Sequence, residues 1–493
     1  MKNSRQGGFV LVHVLILSLI LILVSVGVTF ITQIGFFSIA AEKRYQIAEK
    51  RANIGLMTVL ANGNCSDYTE EGINVKAVKD VGYNMCFVWS QGTYFGAKVV
   101  KIGMFPLKGS NWAAAMFRHL NNLSGLGGSS AIIGYDNPEN SCDDPNSCIA
   151  PALVTGNQLN PQNIVIACYT NQNNLGQGLV SIVNPYKYDP ILQTQDLTSK
   201  IFNAENRTEM LNNFSTIFQV NFNNGTPVGL INNNDVLSIS ANECTTINND
   251  TITCGNGTIN FKWTETCYQF GSNCISKLDL GPNAKLTFDG SFSGGGYIAA
   301  NQIIFSQKAN VKTNSPLVLV ARNQISATQN DINVSNVFMF SQNYDLSGKK
   351  LTITNSLIYS GGAGVGDLNI NLNSDSKLGD ETSSVLIISD NNINITRNGN
   401  AEIWGIIFTT EANNDFNIGS GNGNFKIHGA VISNSLNNNN LNISGNFEIR
   451  FNFKAIERLF QAFQNLGFNV LKPPSCGASG LRNFYLFTTI KIY

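Results

Sequence analysis

Residues 297–305 read YIAANQIIF, and this run is the first of a series. PLVLVA follows from Pro316, VFMFS from Val337, SLIYS from Ser356, SVLIIS from Ser384, GIIFTT from Gly405 and GAVIS from Gly429. The intervals are 19, 21, 19, 28, 21 and 24 residues. Second, shorter strand-like pieces lie between them, such as NVKT, INVSN, KLTITN, LNINLN, INITRN, FKIHG and LNISG. A period near 20 with two or three short strands per repeat is the pattern of a β-solenoid. One coil cannot bury its apolar face alone, so each stacks on the next at ~4.8 Å, and seven coils make a rod about 30 Å long. Asparagine, glycine and serine crowd this half of the chain. Asn and Gly tolerate positive φ, which suits tight turns between coils.

Downstream, KAIERLFQAFQNLGF (454–468) sets Ile456, Leu459, Phe460, Phe463 and Leu466 on one helical face, and Gly467 can end the helix. It is a candidate cover for the solenoid's open edge, which would otherwise invite pairing with another chain. Pro473-Pro474 stops any helix, and LRNFYLFTTIKIY returns as a final strand. Upstream, residues 65–280 alternate strand-like pieces (MCFVWS, AKVVKIGMF, NIVIACYTN, GLVSIV, DVLSIS) with Gly/Asn-rich joints. TITCGNGTINFKW reads as a hairpin turning at Gly255-Asn256-Gly257. Short helices are expected at NWAAAMFRHL and around RTEMLNNFSTIF.

There are ten cysteines: Cys65, Cys86, Cys142, Cys148, Cys168, Cys244, Cys254, Cys267, Cys274 and Cys476. None forms a C-x-x-C pair, and the three histidines His13, His119 and His428 are scattered, so no metal site is expected. An even number in an exported chain reads as disulfides, and Cys142/Cys148, Cys244/Cys254 and Cys267/Cys274 lie close in sequence. Connectivity does not follow from sequence. Net charge is zero and only 13% of residues are charged, which argues against a nucleic-acid-binding surface.

The chain opens MKNSRQGGFVLVHVLILSLILILVSVGVTF. After Lys2 and Arg5 no acidic or basic side chain occurs until Glu42, apart from the neutral-capable His13. The run is too long for a secretory signal and easily spans a bilayer. Lys43, Arg44, Lys50 and Arg51 beyond it leave charge-based orientation open, and the cysteines place the body outside the cytoplasm. Tyr45, Ala48, Ala52, Leu56 and Val59 then recur at helical spacing. No proline precedes Pro106, so one helix from Phe9 to about Ala61 would be roughly 80 Å long.

The basic leader ending in Gly8, Phe9 after it, the apolar half-helix and the segment QIAEKRANIGLM together resemble a type IV prepilin, with QIAEKRANIG similar to PilX-type minor pilins. The resemblance covers residues 1–60. It implies cleavage after Gly8 by a prepilin peptidase and methylation of the new amino terminus at Phe9. It also implies passage of the helix from the inner membrane into a fibre of other pilins or pseudopilins. The fifth mature position, where the family carries a glutamate that pairs with a neighbour's terminal amine, is His13. In related pseudopilin complexes the tip subunit also lacks that glutamate. A weaker second resemblance, to the extracellular region of some PilX-like proteins, rests on NGNFKIHGAVISNSLNNNNLNISGNFEIRF.

No G-x-S-x-G, H-E-x-x-H or P-loop occurs. GGAGVGDLN (361–369) lacks a phosphate-binding lysine and reads as a loop between coils. Asp375, Asp380 and Glu381 match no calcium loop and read as a solvated turn. The expectation is therefore a mainly β protein. It has a prepilin leader (1–8), a long pilin-like helix (9–62) and a disulfide-containing α+β domain (63–282). A right-handed parallel β-helix (283–452) and a capping helix with tail (453–493) follow. The expected role is a minor pilin at or near the tip of a type IV pilus or type II secretion-like filament. It would act in assembly initiation and in contact with surface glycans or with host or abiotic surfaces, without cofactor or enzymatic activity. Two other readings are a membrane-anchored β-helix adhesin or envelope protein without a filament, and a polysaccharide-active β-helix enzyme.

Overall fold

A computed structural model describes residues 5–62, 65, 67–80, 85–106, 109–110, 112–124, 131–134, 152–157, 186–188, 190–232, 235–247, 250–306, 309–328, 331–348, 350–362, 367–373, 375–410, 416–418, 423–436, 440–443, 446–472, 476–477 and 485–492. The chain divides into two compact units. The first joins Met1–Asp80, Met85–Leu107 and Gly480–Tyr493, and the second consists of Val81–Asn84 and Lys108–Ser479.

In the first unit, helix α1 runs unbroken over Arg5–Asn62, as a proline-free sequence permits. Its outer half buries Ala48, Ala52, Leu56 and Val59, the face set by the sequence spacing, with Tyr45 half-buried at its start. The small side chains of Ala48 and Ala52 let an antiparallel sheet come close. Its strand order is Tyr68–Glu70, Ile73–Asp80, Met85–Tyr94, Ala97–Pro106 and Tyr485–Ile492. The Ser90 hydroxyl donates to the Ala52 carbonyl at 2.7 Å. A Cβ on Gly92 would stand 1.9 Å from the Ala48 carbonyl oxygen, so only glycine fits there. The Lys101 ammonium, nearly buried, meets Glu49 at 3.0 Å. A disulfide from Cys65 to Cys86 ties the segment after the helix to the sheet.

The last strand of this sheet comes from the chain's far end, pairing Tyr485 with Met104 and Ile492 with Lys98. The second unit is thus an insertion between two adjacent strands of the first. The linear boundary expected at residues 63–282 divides differently: residues up to 80, 85–107 and 480–493 belong with α1, and Lys108–Ser479 belong with the solenoid. Pairing across more than 370 residues leaves no local mark in the sequence, and the register of Tyr485 with Met104 spans that distance.

The second unit carries a β-solenoid of about six turns in its carboxy-terminal region. The apolar runs quoted above stack in parallel on one face, and Ile298, Leu319, Met339, Ile358, Ile387, Ile407 and Val431 lie in register. Their neighbours Val320, Phe340, Tyr359, Ile388, Phe408 and Ile432 form the adjacent row, pointing to the opposite side of the sheet. Both rows are buried, which is why these strands read as unbroken apolar runs. The second row is covered by helix α3 (Arg207–Phe218) and by segments near it: Phe214 packs on Phe340 and Tyr359, Phe218 on Phe338 and Phe340, and Phe202 on Phe408. A four-residue helix, α2 (Thr198–Ile201), precedes α3. The Asn206 side chain caps α3 by accepting from Glu209 N–H at 3.0 Å, as a helix start requires.

The other two faces alternate buried and outward residues. One contains Ile393–Asn398, paired with Leu368–Asn373. The other contains Lys350–Thr354, which pairs in parallel with the start of the Asp331–Ser347 strand. Gly405 and Gly429 form a corner where backbones nearly touch. They are in register at φ +138° and +150°, and a Cβ on Gly429 would lie 1.7 Å from the Gly405 carbonyl oxygen.

Both ends of the stack are extended by chain outside the repeats. At one end Glu243–Ile247 pairs in parallel with Lys285–Phe288 and antiparallel with Thr251–Cys254. It opens a meander closed by disulfides Cys244–Cys254 and Cys267–Cys274. The hairpin turn lies at Gly255-Asn256-Gly257, all three with positive φ. At the other end, segments that precede the solenoid in sequence stack past its last repeat. Ala115–Phe117 pairs with Val431–Ser433, Asn122–Ser124 with Asn440–Asn442, and Ala131–Ile133 with Glu448–Arg450. Leu153–Thr155 and then Tyr186–Tyr188 continue that face.

Two expectations are corrected here. Within NWAAAMFRHL the structure has a buried three-residue strand, Ala115–Phe117, and not a helix: an alanine-rich apolar run fits either state, and the parallel neighbours Val431 and Leu153 decide it. Helix α4 (Phe453–Asn465), capped by Asn452 accepting from Ala455 N–H at 2.8 Å, does not cover the open end. It buries Ala455, Ile456, Leu459, Phe460 and Phe463 along the flank formed by Ala401–Thr409 and Asn424–Ser433. The edge of Asn446–Phe451 is paired with Ala131–Ile133 instead.

Candidate functional site

Among the described residues nothing covers the inner half of α1. Residues 11–41 are exposed almost throughout, with a mean hydropathy of 3.0 in the most apolar window. Four of its hydroxyls bond within the helix: Ser18 donates to Val14 at 2.8 Å, Ser25 to Ile22 at 2.9 Å, Thr29 to Ser25 at 2.8 Å and Thr32 to Val28 at 2.6 Å. A helix apolar all round, with these hydroxyls bonded to its own backbone, suits hydrocarbon or a bundle of like helices. His13 lies on this exposed stretch. Gly8 and Phe9 fall in the first turns of α1, and the positions of their side chains lie outside the described residues.

Of the cysteines, Cys65, Cys86, Cys244, Cys254, Cys267 and Cys274 form the three disulfides given above. Cys142, Cys148 and Cys168 lie outside the described residues, as does the side chain of Cys476. The Cys65–Cys86 bond was not among the close pairs in sequence, because 21 residues separate its ends.

The solenoid's outward rows are polar ladders. On one face Asn369, Asn394 and Asn417 stand in register. The amide of Asn394 donates to Asn369 Oδ1 at 3.1 Å and that of Asn417 to Asn394 Oδ1 at 2.9 Å. On another face Lys377, Glu402, Lys426 and Glu448 alternate in sign from coil to coil. Beside this row the His428 ring stacks on Trp404 at 3.9 Å, and the Arg458 guanidinium lies 5.7 Å from the Trp404 ring.

Burial, with the charges of Arg450 and Lys426 beside it, pushes the His428 imidazole down to about 3. The unfolded chain protonates this group near 6.5, so from there downward it binds a proton that the folded chain refuses, and stability falls toward pH 3. Replacing His428 with Phe keeps the stack and removes the titration. Between pH 6.5 and 4.5 the variant is expected to lose about 2 kcal/mol less unfolding free energy than the parent. Urea unfolding at a series of pH values measures this, and parallel curves would count against it.

The acidic turn gathers no site. Burial raises the Asp380 carboxyl, but hydrogen bonds from Thr382 and Ser383 outweigh it and hold the group below its ordinary value. These neighbours all donate to its Oδ1 as a local turn, and Asp375 occupies a left-handed bend at φ +63°. Of the glycine-rich loop, residues 363–366 lie outside the described residues. Among the described residues no three His, Cys, Asp or Glu side chains gather.

No protein-family model matches the chain, and no curated protein does. Among solved structures, the competence-associated pilin ComZ from Thermus thermophilus is similar at 11% identity and a TM-score of 0.26, over 92% of this chain and 97% of that one. A likeness of that size carries no argument about fold or function.

Proposed function

We propose that the chain is a pilin-like minor subunit with its body at or near the tip of a type IV pilus or type II secretion-like filament. The observation that carries this is the exposed apolar half of α1. Residues 11–41 extend about 46 Å at 1.5 Å per residue, whereas a bilayer's hydrocarbon is about 30 Å thick. Lipid alone leaves part of that surface in water. Other subunits' apolar helices cover all of it, which is what a fibre core supplies.

Before assembly, the helix holds the chain in the inner membrane with its body in the periplasm. A prepilin peptidase removes residues 1–8, and the new terminus at Phe9 is methylated. The inserted solenoid is bulky behind one helix, and a tip position gives it room. There it takes part in assembly initiation and surface contact, with the asparagine ladder a face for uncharged surfaces such as glycans. His13 in place of a carboxylate fits a subunit with no pilin ahead of it. No catalytic role is assigned.

Immunogold labelling of sheared filaments, using antibody against the solenoid, tests the position. Label at one end of each filament is the expected result. Label along the whole length would overturn the tip assignment, and label only in membrane fractions would favour an anchored adhesin without a filament.

A further inference from the structure

We propose that the hairpin tip Tyr94-Phe95-Gly96-Ala97 of the first unit is a second membrane contact, resting on the bilayer surface through which α1 emerges. The inference rests on the reading of α1 as membrane-spanning before assembly.

Three observations carry it. The first is Phe95 itself. It is 74% exposed and sits at φ +45°, a left-handed conformation that bulky residues rarely adopt. Glycine or asparagine would serve the turn better, so the turn alone does not explain a phenylalanine there. Its ring meets Tyr94 edge to face, with centroids 4.6 Å apart.

The second is the height of the tip along α1. Ser90 bonds to Ala52, and Gly92 lies against Ala48, so the strand Met85–Tyr94 descends toward the apolar end of the helix. Two strand residues, about 7 Å, match four helix residues, about 6 Å. Three residues beyond Gly92, Phe95 therefore comes level with about residue 42, where the uncharged run ends. Tyr45 and Tyr94 pack on Ala48 and Ala97 at that height. Aromatic rings are enriched at this boundary between hydrocarbon and water.

The third is charge. Lys43, Arg44, Lys50 and Lys98 are exposed around the same level, and the Arg51 guanidinium lies 5.1 Å from the Tyr94 ring while donating to Thr93 at 2.7 Å. They outnumber Glu42 and Glu49, and such a cluster complements anionic headgroups. The occupant that matches an exposed aromatic ringed by cations, beside an emerging apolar helix, is the bilayer interface.

The test uses the full chain in vesicles of phosphatidylethanolamine and phosphatidylglycerol. A benzophenone-bearing phenylalanine analogue replaces Phe95, Trp89 or Phe30 in turn. Trp89 is also exposed, but it lies about 18 Å further from the boundary along the helix. Illumination is expected to give lipid adducts at position 30, and adducts at position 95 several-fold above those at 89. Lipid adducts at 30 with none above the level of 89 at 95 would overturn the tip contact while leaving the anchor intact. Adducts from 95 to a second copy of the chain would overturn it as well. Failure at position 30 would remove the membrane-spanning reading and the tip contact with it.

Discussion

Asp390→Ala is expected to lower the stability of the second unit by about 3–5 kcal/mol, a large effect for a single side chain. The carboxylate is 1% exposed and joins three parts of the unit. Arg207, the first residue of α3, grips it with two donors at 3.1 and 2.7 Å. The Tyr359 hydroxyl from the apolar face lies 2.7 Å away, and also 3.0 Å from the Gly225 carbonyl of the hairpin beside α3. Thr410 donates from the next coil. Removing the carboxylate takes this partner from a mostly buried guanidinium, and the loss outweighs the value of any single bond. Urea midpoints of parent and variant measure the loss. The double variant Arg207→Met with Asp390→Leu is expected to recover part of it, because the charge is then removed with its partner. A single variant within about 0.5 kcal/mol of the parent would mean that α3 is held by its phenylalanines alone.

The second large effect is at the glycine corner. Gly429→Val is expected to cost at least about 3 kcal/mol, combining overpacking against backbone with a φ that β-branched residues avoid. The Cβ would meet the Gly405 carbonyl oxygen at 1.7 Å and its carbon at 2.7 Å, and neither can rotate aside as a side chain would. The coil from Ala401 to Thr409 must then shift, and α4 packs against that coil. Gly257→Ala is the control: φ is +83° but nothing stands within 4 Å, so only backbone strain of about 1 kcal/mol is paid. Similar losses for the two variants would show that close stacking at the corner is not what selects glycine.

Much of the solenoid was legible because one of its faces is buried on both sides. SLIYS and VLIIS are buried at every position, so their runs stand out from the polar ladders around them. The helix face Ala48, Ala52, Leu56 and Val59 and the helix over Arg207–Phe218 were legible for the ordinary reason, a 3.6-residue period with one buried side. Long-range pairing was not. Ala115–Phe117 stacks on Val431–Ser433, more than 300 residues away, and a three-residue strand carries no period of its own. The final strand was anticipated, but its partner in the first unit was not, so the insertion remained hidden.

At the candidate site, the apolar run, His13 and the Gly8-Phe9 junction were visible as composition. Asp390 and Phe95 were not, since one is a lone acid in a polar turn and the other a ring in a strand-rich stretch. Their meaning comes from burial and height, which only the fold supplies.

Mass spectrometry of the amino-terminal peptide from the mature, filament-associated protein tests the central claim most directly. The account predicts a peptide that begins at N-methylated Phe9. An intact Met1 on the mature chain would contradict it and leave a membrane-anchored β-solenoid protein.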